Sequence, residues 1–295
     1  MTKHILVLTG QAGGKFFTPK AVQTLQEAVP ALPPAKHLSD DAIEYELGDD
    51  AASIKQAVEH AAKGQPFDVN LVAAEGRRKA LLVADLESTI IEQECLDELA
   101  VNIGRQDEMV AITTRAMRGE LDFEPALRER VAMLKGMSEQ ALQDLYDEKI
   151  TLMSGAATLL ATMRHHGATC GLVSGGFAFF ASRIAERIGF HRFRCNDLGL
   201  ENGALDGTVV EPILDRQAKA RILLEWCDEL SLTAQQAVTV GDGSNDLAML
   251  AAAGMGVAFH AKPAVAEAAD IRIDHGDLTA LLYLQGFSQS DFVAA

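Results

Sequence analysis

Positive charge is scarce in this sequence. Its 295 residues carry 26 Lys and Arg against 42 Asp and Glu, a formal net charge of -16 at pH 7. A general nucleic-acid binder needs a basic face, so that class is excluded, although a locally positive site for an anionic substrate is not. Long apolar runs are missing too: none approaches the roughly 20 residues that cross a bilayer. Cysteine is sparse. Cys95, Cys170, Cys195 and Cys227 form no Cys-x-x-Cys pair. Single cysteines scattered through a chain this large read as reduced cytosolic thiols, not as a disulfide framework. The opening Met1-Thr-Lys-His-Ile-Leu-Val-Leu-Thr9 lacks the extended apolar region and small-residue cleavage site of a secretory signal, which also points to the cytoplasm. Repeats and low-complexity segments are absent. What is plentiful is apolar character, 48% of residues, enough for a sizeable core, and the length suggests about two domains.

The first 75 or so residues read as a small α+β unit. Lys3 to Thr9 is a strand. Pro19 to Ala28 is a helix, opened by Thr18 as N-cap with proline at its first turn. Three prolines within Pro30-Ala-Leu-Pro-Pro-Ala35 enforce a loop. Ala42 to Leu47 alternates apolar and polar residues and reads as a half-buried strand. Asp50 to Ala62 is a helix, and Phe67 to Val72 a strand. Strand-helix-strand-helix-strand suggests a ferredoxin-like sandwich. Gly10-Gln-Ala-Gly-Gly-Lys15 resembles a phosphate loop only superficially, since the Gly-Lys-Ser/Thr ending is missing. Glu75-Gly-Arg-Arg-Lys79 is a polar joint, which predicts domains at 1–76 and 77–295.

The rest of the chain is organised around Leu81-Leu-Val-Ala-Asp85-Leu-Glu87-Ser-Thr89. A continuous apolar run suits a central strand buried on both faces. Two carboxylates follow it directly, where open parallel sheets place their ligands. Oxygen ligands of this kind suit a divalent cation, and Mg2+ is the simplest. From about residue 91 to 150 the pattern turns helical, punctuated by Gly104, Gly119 and Gly136. A helical insert after the acidic strand would overhang its end as a lid. Phe123, Arg128 and Arg130 lie close together in it. An arginine there clamps a substrate carboxylate, or the Arg-Glu-Arg run is a solvated helix face.

Three later segments repeat the theme. Gly155 to His166 is a helix capped by Gly167, and the strand Ala168 to Val173 ends at Ser174-Gly175-Gly176. A hydroxyl and two glycines between a strand end and a helix start make an anion cradle or an ordinary turn. Asn202-Gly203 marks a hairpin, read as a flap beside the active edge. Asp215 opens a helix carrying Lys219, which faces solvent or serves as a point charge for a phosphate. Gln236 to Gly241 is a strand, followed at once by Asp242-Gly-Ser-Asn245-Asp246. An EF-hand is excluded, because the glycine and terminal glutamate of that loop are missing. Carboxylates for a cation, with Ser, backbone N–H groups and Lys for an anion, predict a phosphate held between the two sets.

These motifs resemble those of the haloacid dehalogenase superfamily. Glu94-Cys-Leu-Asp-Glu-Leu-Ala100, Arg115-Ala-Met-Arg-Gly-Glu-Leu-Asp-Phe-Glu124, Leu127-Arg-Glu-Arg-Val131 and Leu172-Val-Ser-Gly-Gly-Phe177 are similar to its phosphoserine phosphatase branch. The resemblance covers about residues 80 to 285. It implies an α/β fold: a Rossmann-like core with a parallel sheet and a small helical cap inserted after the first core strand. The N-terminal unit resembles the ferredoxin-like, ACT-like domain of longer relatives. The implied reaction is Mg2+-dependent hydrolysis of O-phosphoserine in serine biosynthesis. By resemblance Asp85 is the nucleophile and Glu87 the general acid and base. Asp85, the Glu87 backbone carbonyl and Asp242 hold the metal, with Asp246 behind them. Ser174, Gly175, Lys219 and Asn245 hold the phosphoryl group, and Glu94, Met117, Phe123 and Arg130 read the serine moiety. A small-molecule substrate and at most a second copy of the chain are the expected partners, with no nucleic acid and no membrane.

Two positions depart from the family pattern. Its opening motif usually reads Asp-x-Asp, and here the second carboxylate is Glu87. One extra methylene displaces an acid by roughly an ångström, a shift that costs on the order of a hundredfold in rate unless the pocket adapts. Ser154 stands where proline is common. Two other readings remain open: a phosphatase or phosphotransferase acting on another small phosphorylated amino acid such as phosphohomoserine, and a weakened member that binds serine or phosphoserine to regulate a partner.

Overall fold

The computed structural model describes residues 3–117 and 120–294. The N-terminal unit consists of β1 (His4–Gly10), α1 (Pro19–Ala28), β2 (Lys36–His37), β3 (Ala42–Leu47), α2 (Ala51–Ala61) and β4 (Phe67–Ala73). Helix α1 begins as its sequence dictates, with Thr18 Oγ1 accepting the Ala21 N–H at 3.3 Å. The strands pair antiparallel in the order β2-β3-β1-β4, the ferredoxin-like arrangement. The pattern of the sequence misses β2, whose two residues are too few to show periodicity.

Strand β3 is not half-buried, contrary to the alternation in its sequence. Ile43, Tyr45 and Leu47 pack with Val22, Ile54 and Val58 of the two helices. On the other face Ala42 joins Ile5, Val7 and Val72 in the core of the larger sheet. Glu44 is also buried, and it is paired with Arg77 at 2.7 Å. A buried acid needs such a partner.

The larger sheet begins with β5 (Leu81–Ala84). The insert follows as α3 (Cys95–Asn102), α4 (Gln106–Met117), α5 (Phe123–Ala132) and α6 (Glu139–Lys149). Then come α7 (Ala156–His165), β6 (Thr169–Phe177), α8 (Ala178–Ile188), β7 (Arg192–Glu201), β8 (Ala204–Val210) and α9 (Arg216–Glu229). The chain closes with β9 (Ala237–Gly241), α10 (Leu247–Ala252), β10 (Met255–Phe259), α11 (Pro263–Ala268), β11 (Ile271–Ile273) and α12 (Ala280–Leu284). The strand order is β11-β10-β9-β5-β6-β7-β8, parallel throughout except for β7 with β8. All four residues of β5 are fully buried, as its unbroken apolar run requires. Its central place brings the ends of β5, β6 and β9 together on one edge.

Two local expectations change. Ser174-Gly-Gly lies inside β6, which runs on to Phe177, and α8 starts only at Ala178. The glycines therefore extend a strand; they do not open a helix. The hairpin is the edge of the main sheet itself, and not a separate flap. Its turn residues Asn202 and Gly203 both have positive φ, 53° and 77°, as an Asn-Gly turn demands. It is tied to the insert by Gly136 N–H to Leu205 O and Leu205 N–H to Met137 O, each 2.8 Å.

The two sheets meet edge to edge. The Asn70 amide on β4 donates to Arg272 O at 2.7 Å and accepts Arg272 N–H at 2.9 Å, standing in for one rung of strand pairing. Asp68 accepts the N–H groups of Asp274, His275 and Gly276 at 2.9, 3.2 and 3.1 Å. Ser154 replaces a helix-start proline with a hydrogen bond of 2.8 Å to Asp277. Among the described residues no helix is long and apolar enough to cross a membrane.

Candidate active site

The C-terminal edge of β5 presents Asp85, whose side chain is almost fully buried. Its Oδ1 accepts the Leu86 N–H at 2.7 Å. The chain then turns sharply, with Ser88 in the left-handed region at φ 53°. Such a conformation in a non-glycine residue is uncommon and clusters at functional sites.

Asp242 and Asp246 follow β9. Carboxylate oxygens of Asp85, Asp242 and Asp246 lie within 4.8 Å of one another, and all three residues are buried. Lys219 reaches the same cluster from α9, 2.9 Å from Asp85 Oδ1 and 2.6 Å from Asp246 Oδ1. It is 1% exposed. Burial alone would lower the pKa of the ammonium, but the charges of Asp246 and Asp85 overcome this and hold it above its ordinary value. Lys219 is therefore a fixed cation. Its helix is anchored by Asp215 Oδ1, which accepts the Ala218 N–H at 2.6 Å. Leu223 and Trp226 continue the buried face of that helix.

Three buried carboxylates against one buried ammonium, Lys219, leave an excess of negative charge. Closely spaced oxygen donors with that excess fit a divalent cation. Asp246 is committed on both oxygens, to Lys219 and to the Gly243 N–H at 3.0 Å. Asp85 and Asp242 keep more freedom to ligate. Burial foremost, with the charge of Asp85, pushes Asp242 up to about 6 against the pull of Lys262.

Glu87 sits between β6 and the insert. Its Oε1 accepts the Cys95 N–H at 2.8 Å, at the start of α3. The carboxylate lies against Gly176, where a Cβ would fall 2.8 Å from Oε2. Burial, followed by the charges of Glu94 and Asp85, pushes Glu87 up to about 8. Such an acid holds a proton at neutral pH and is able to give it up. Glu94, the N-cap of α3, accepts the Ser88 hydroxyl at 2.8 Å. Burial raises its pKa, and the Ser88 bond opposes this.

On β6, Ser174 Oγ accepts the Gly176 N–H at 3.0 Å and keeps its own proton to donate. The Gly175 carbonyl is held by Asn196 at 2.7 Å. Phe123 reaches down from the insert, with its Cζ 3.7 Å from where a Gly175 Cβ would lie. Seven residues on, Arg130 shares its helix face, and the Arg130 Nε is buried with no hydrogen-bond partner among the described residues. Arg128 points the other way, to Glu124 at 2.7 Å and to Glu211. The Arg-Glu-Arg run thus resolves into an outward Arg128 and an inward Arg130. Asn245, half-buried, folds over Gly243. Met117 ends α4, and its side chain lies outside the described residues.

Residues missed in the sequence include Asn196 and Lys262. Asn196 is 1% exposed and also accepts the Leu214 N–H at 2.7 Å. A polar residue inside a strand was its only signal. Lys262 precedes Pro263 and caps α11, and its Nζ is 3.5 Å from Asp242 Oδ2. The signal was an X-Pro helix start directly after a strand of the active edge. A cleft of about 750 Å³ lies elsewhere, at the seam of the two sheets, where it is lined by Lys55, Asp68, Asn70, Glu267, Asp270 and Arg272 among others. Its buried Asp68 and Asn70 already serve the seam.

Comparison with known proteins shows the family. Residues 82–251 match the family model for haloacid dehalogenase-like hydrolase. A phosphoserine phosphatase of Albidiferax ferrireducens is 45% identical over 209 residues, 69% of this chain and 88% of that protein. The crystal structure of a HAD family hydrolase from Salmonella enterica serovar Typhi superposes with a TM-score of 0.87 at 26% identity, over 96% of this chain and 98% of the other. An unliganded probable phosphoserine phosphatase from Vibrio cholerae gives 0.78 at 30% identity, over 97% of this chain and 86% of the other.

Proposed function

The chain belongs to the haloacid dehalogenase-like hydrolases, in their phosphoserine phosphatase branch, and from that premise we propose how its residues hydrolyse O-phospho-L-serine to serine and phosphate. The observation that carries the reading is the Lys219 ammonium bridging Asp85 and Asp246 beside Asp242. One face of that cluster suits a cation and the other a phosphoryl group.

Asp85 attacks phosphorus with its free carboxylate oxygen, and the P–O bond to serine breaks. The product is an aspartyl phosphate, which splits one displacement into two. Glu87 gives its proton to the leaving serine oxygen. In the second step Glu87 takes a proton from water, whose oxygen attacks phosphorus and frees Asp85. Lys219 and the Ser174 hydroxyl bind phosphoryl oxygens, with Gly175 and Asn245 shaping the cradle. Glu94 takes the substrate ammonium and Arg130 its carboxylate, while Phe123 closes the apolar wall. Asp85, the Glu87 carbonyl and Asp242 would hold Mg2+, with Asp246 behind. Bound there, Mg2+ supplies Lewis-acid stabilisation of charge on the phosphoryl oxygens.

The proposal includes domains at 1–76 and 77–295, a cytoplasmic enzyme and a homodimer, the last measurable by light scattering. The functional test is phosphate release from a panel of phosphomonoesters with Mg2+. Phosphoserine should be the best substrate, and Asp85→Asn should abolish its turnover. Faster hydrolysis of several unrelated esters, or transfer to an added alcohol in preference to water, would contradict the reading.

A further inference from the structure

The mouth of the site presents an electrostatic problem. Asp85, Glu94 and Asp242 converge there, and the whole chain carries -16. A phosphomonoester arrives with a charge of about -1.5 to -2 at neutral pH. Lys219 is buried behind the carboxylates and exerts little pull outside. A cation at the entrance would offset the repulsion.

Lys262 occupies that place on a loop built to hold it. The loop leaves β10 with His260 in the left-handed region at φ 44°. His260 N–H donates to Ile273 O at 2.8 Å, and its Nε2 lies 2.8 Å from Gly276 O. Lys262 N–H then donates to Asp242 O at 3.0 Å. The side chain folds back to the Asp242 carboxylate, 53% of it exposed, and its field extends to Glu94. Backbone and side chain of one residue thus grip one acid of the cluster, while the side chain stays half-exposed.

We propose that Lys262 sets the charge selectivity of the entrance: its ammonium draws in the anionic phosphomonoester and, by competing for Asp242, weakens the hold on a divalent cation. The two effects have opposite signs, and this separates the proposal from a structural role. A lysine that merely shaped the loop would support both ligands alike. Because the side chain is half-exposed, each effect should be that of a rim charge, about two- to fivefold. The proposal rests on the phosphatase reading for its substrate, but not for its binding behaviour.

The test uses the full chain with Lys262→Met and Lys262→Arg. Calorimetric titration with MgCl2 alone should show tighter binding to Lys262→Met than to wild type, by about two- to fivefold. Titration with inorganic phosphate in saturating Mg2+ should show weaker binding, by a similar factor. KM for phosphoserine should rise more than kcat falls, and the difference should shrink in high salt. Lys262→Arg should restore all three. Losing both affinities together, or changing neither, would overturn the proposal. If the wild type does not hydrolyse phosphoserine but the opposed Mg2+ and phosphate shifts appear, the phosphatase reading fails and this one stands.

Discussion

Glu87 and Gly176 form a matched pair. The longer acid has room because residue 176 lacks a side chain, and the Cys95 N–H fixes its far end. Glu87→Asp should therefore slow turnover, by about tenfold to a hundredfold, since the shortened carboxylate leaves that donor. Gly176→Ala should also slow it by displacing Glu87. Combined, the two changes should cost less than the product of their separate effects, and kcat for the four forms measures this coupling. The pKa shifts make a second prediction. Glu87 gains a proton affinity of about 8 from an ordinary 4.5, and Asp242 about 6 from 3.8. Between those limits the folded state binds more protons than the unfolded, so stability falls as pH rises. This contribution is complete below about pH 4 and lost by about pH 8. Melting temperatures across that range should slope downward without metal, and Mg2+ should raise them more at pH 8 than at pH 5. The sequence shows these acids at strand ends, but not their pairing. The helix pattern leaves Lys219 open to solvent or to a phosphate, yet with Leu223 and Trp226 it follows the i, i+4, i+7 spacing of a buried face.

Helices and strands were largely legible where a long pattern had one partner surface. Helix α1, strand β5 and the Asn202-Gly203 turn follow directly from Thr18-Pro19, an unbroken apolar run and two positive φ angles. The exceptions have physical causes. Strand β3 alternates like a solvent-facing strand, but a second layer covers its polar face and Arg77 neutralises Glu44. Ser174-Gly-Gly reads as a turn by composition, while pairing of Phe177 with Asn196 keeps it extended. The hairpin holds the loop between α5 and α6, and the first residue of α6, by backbone bonds, and this gives an element-scale prediction. Gly207 has φ 84°, and a Cβ there would meet Lys135 Cβ at 3.0 Å. Gly207→Ala should cost about 1–3 kcal/mol of stability in urea unfolding, from backbone strain and the close contact. Arg128→Ala breaks only surface ion pairs and should cost about 1 kcal/mol or less.

The molecule as a whole hangs on two junctions. One is the seam between sheets, where Asp68 satisfies three N–H groups and Asn70 replaces a strand rung. Asp68→Ala should destabilise the whole chain by about 1–3 kcal/mol, because it strands backbone donors in a covered edge. Calorimetry should show one melting transition that moves as a unit. Two separate transitions would show that the N-terminal unit is only tethered. The other junction is the shared rim of β5, β6 and β9, where the phosphoryl chemistry is proposed. Its most direct test is to quench the enzyme in acid during turnover of phosphoserine with Mg2+ and map the trapped phosphoryl group by mass spectrometry. The account predicts one phosphoryl group on the peptide containing Asp85, absent from Asp85→Asn. Turnover at full rate with no phosphoryl group on Asp85, or with the group on another residue, would contradict it.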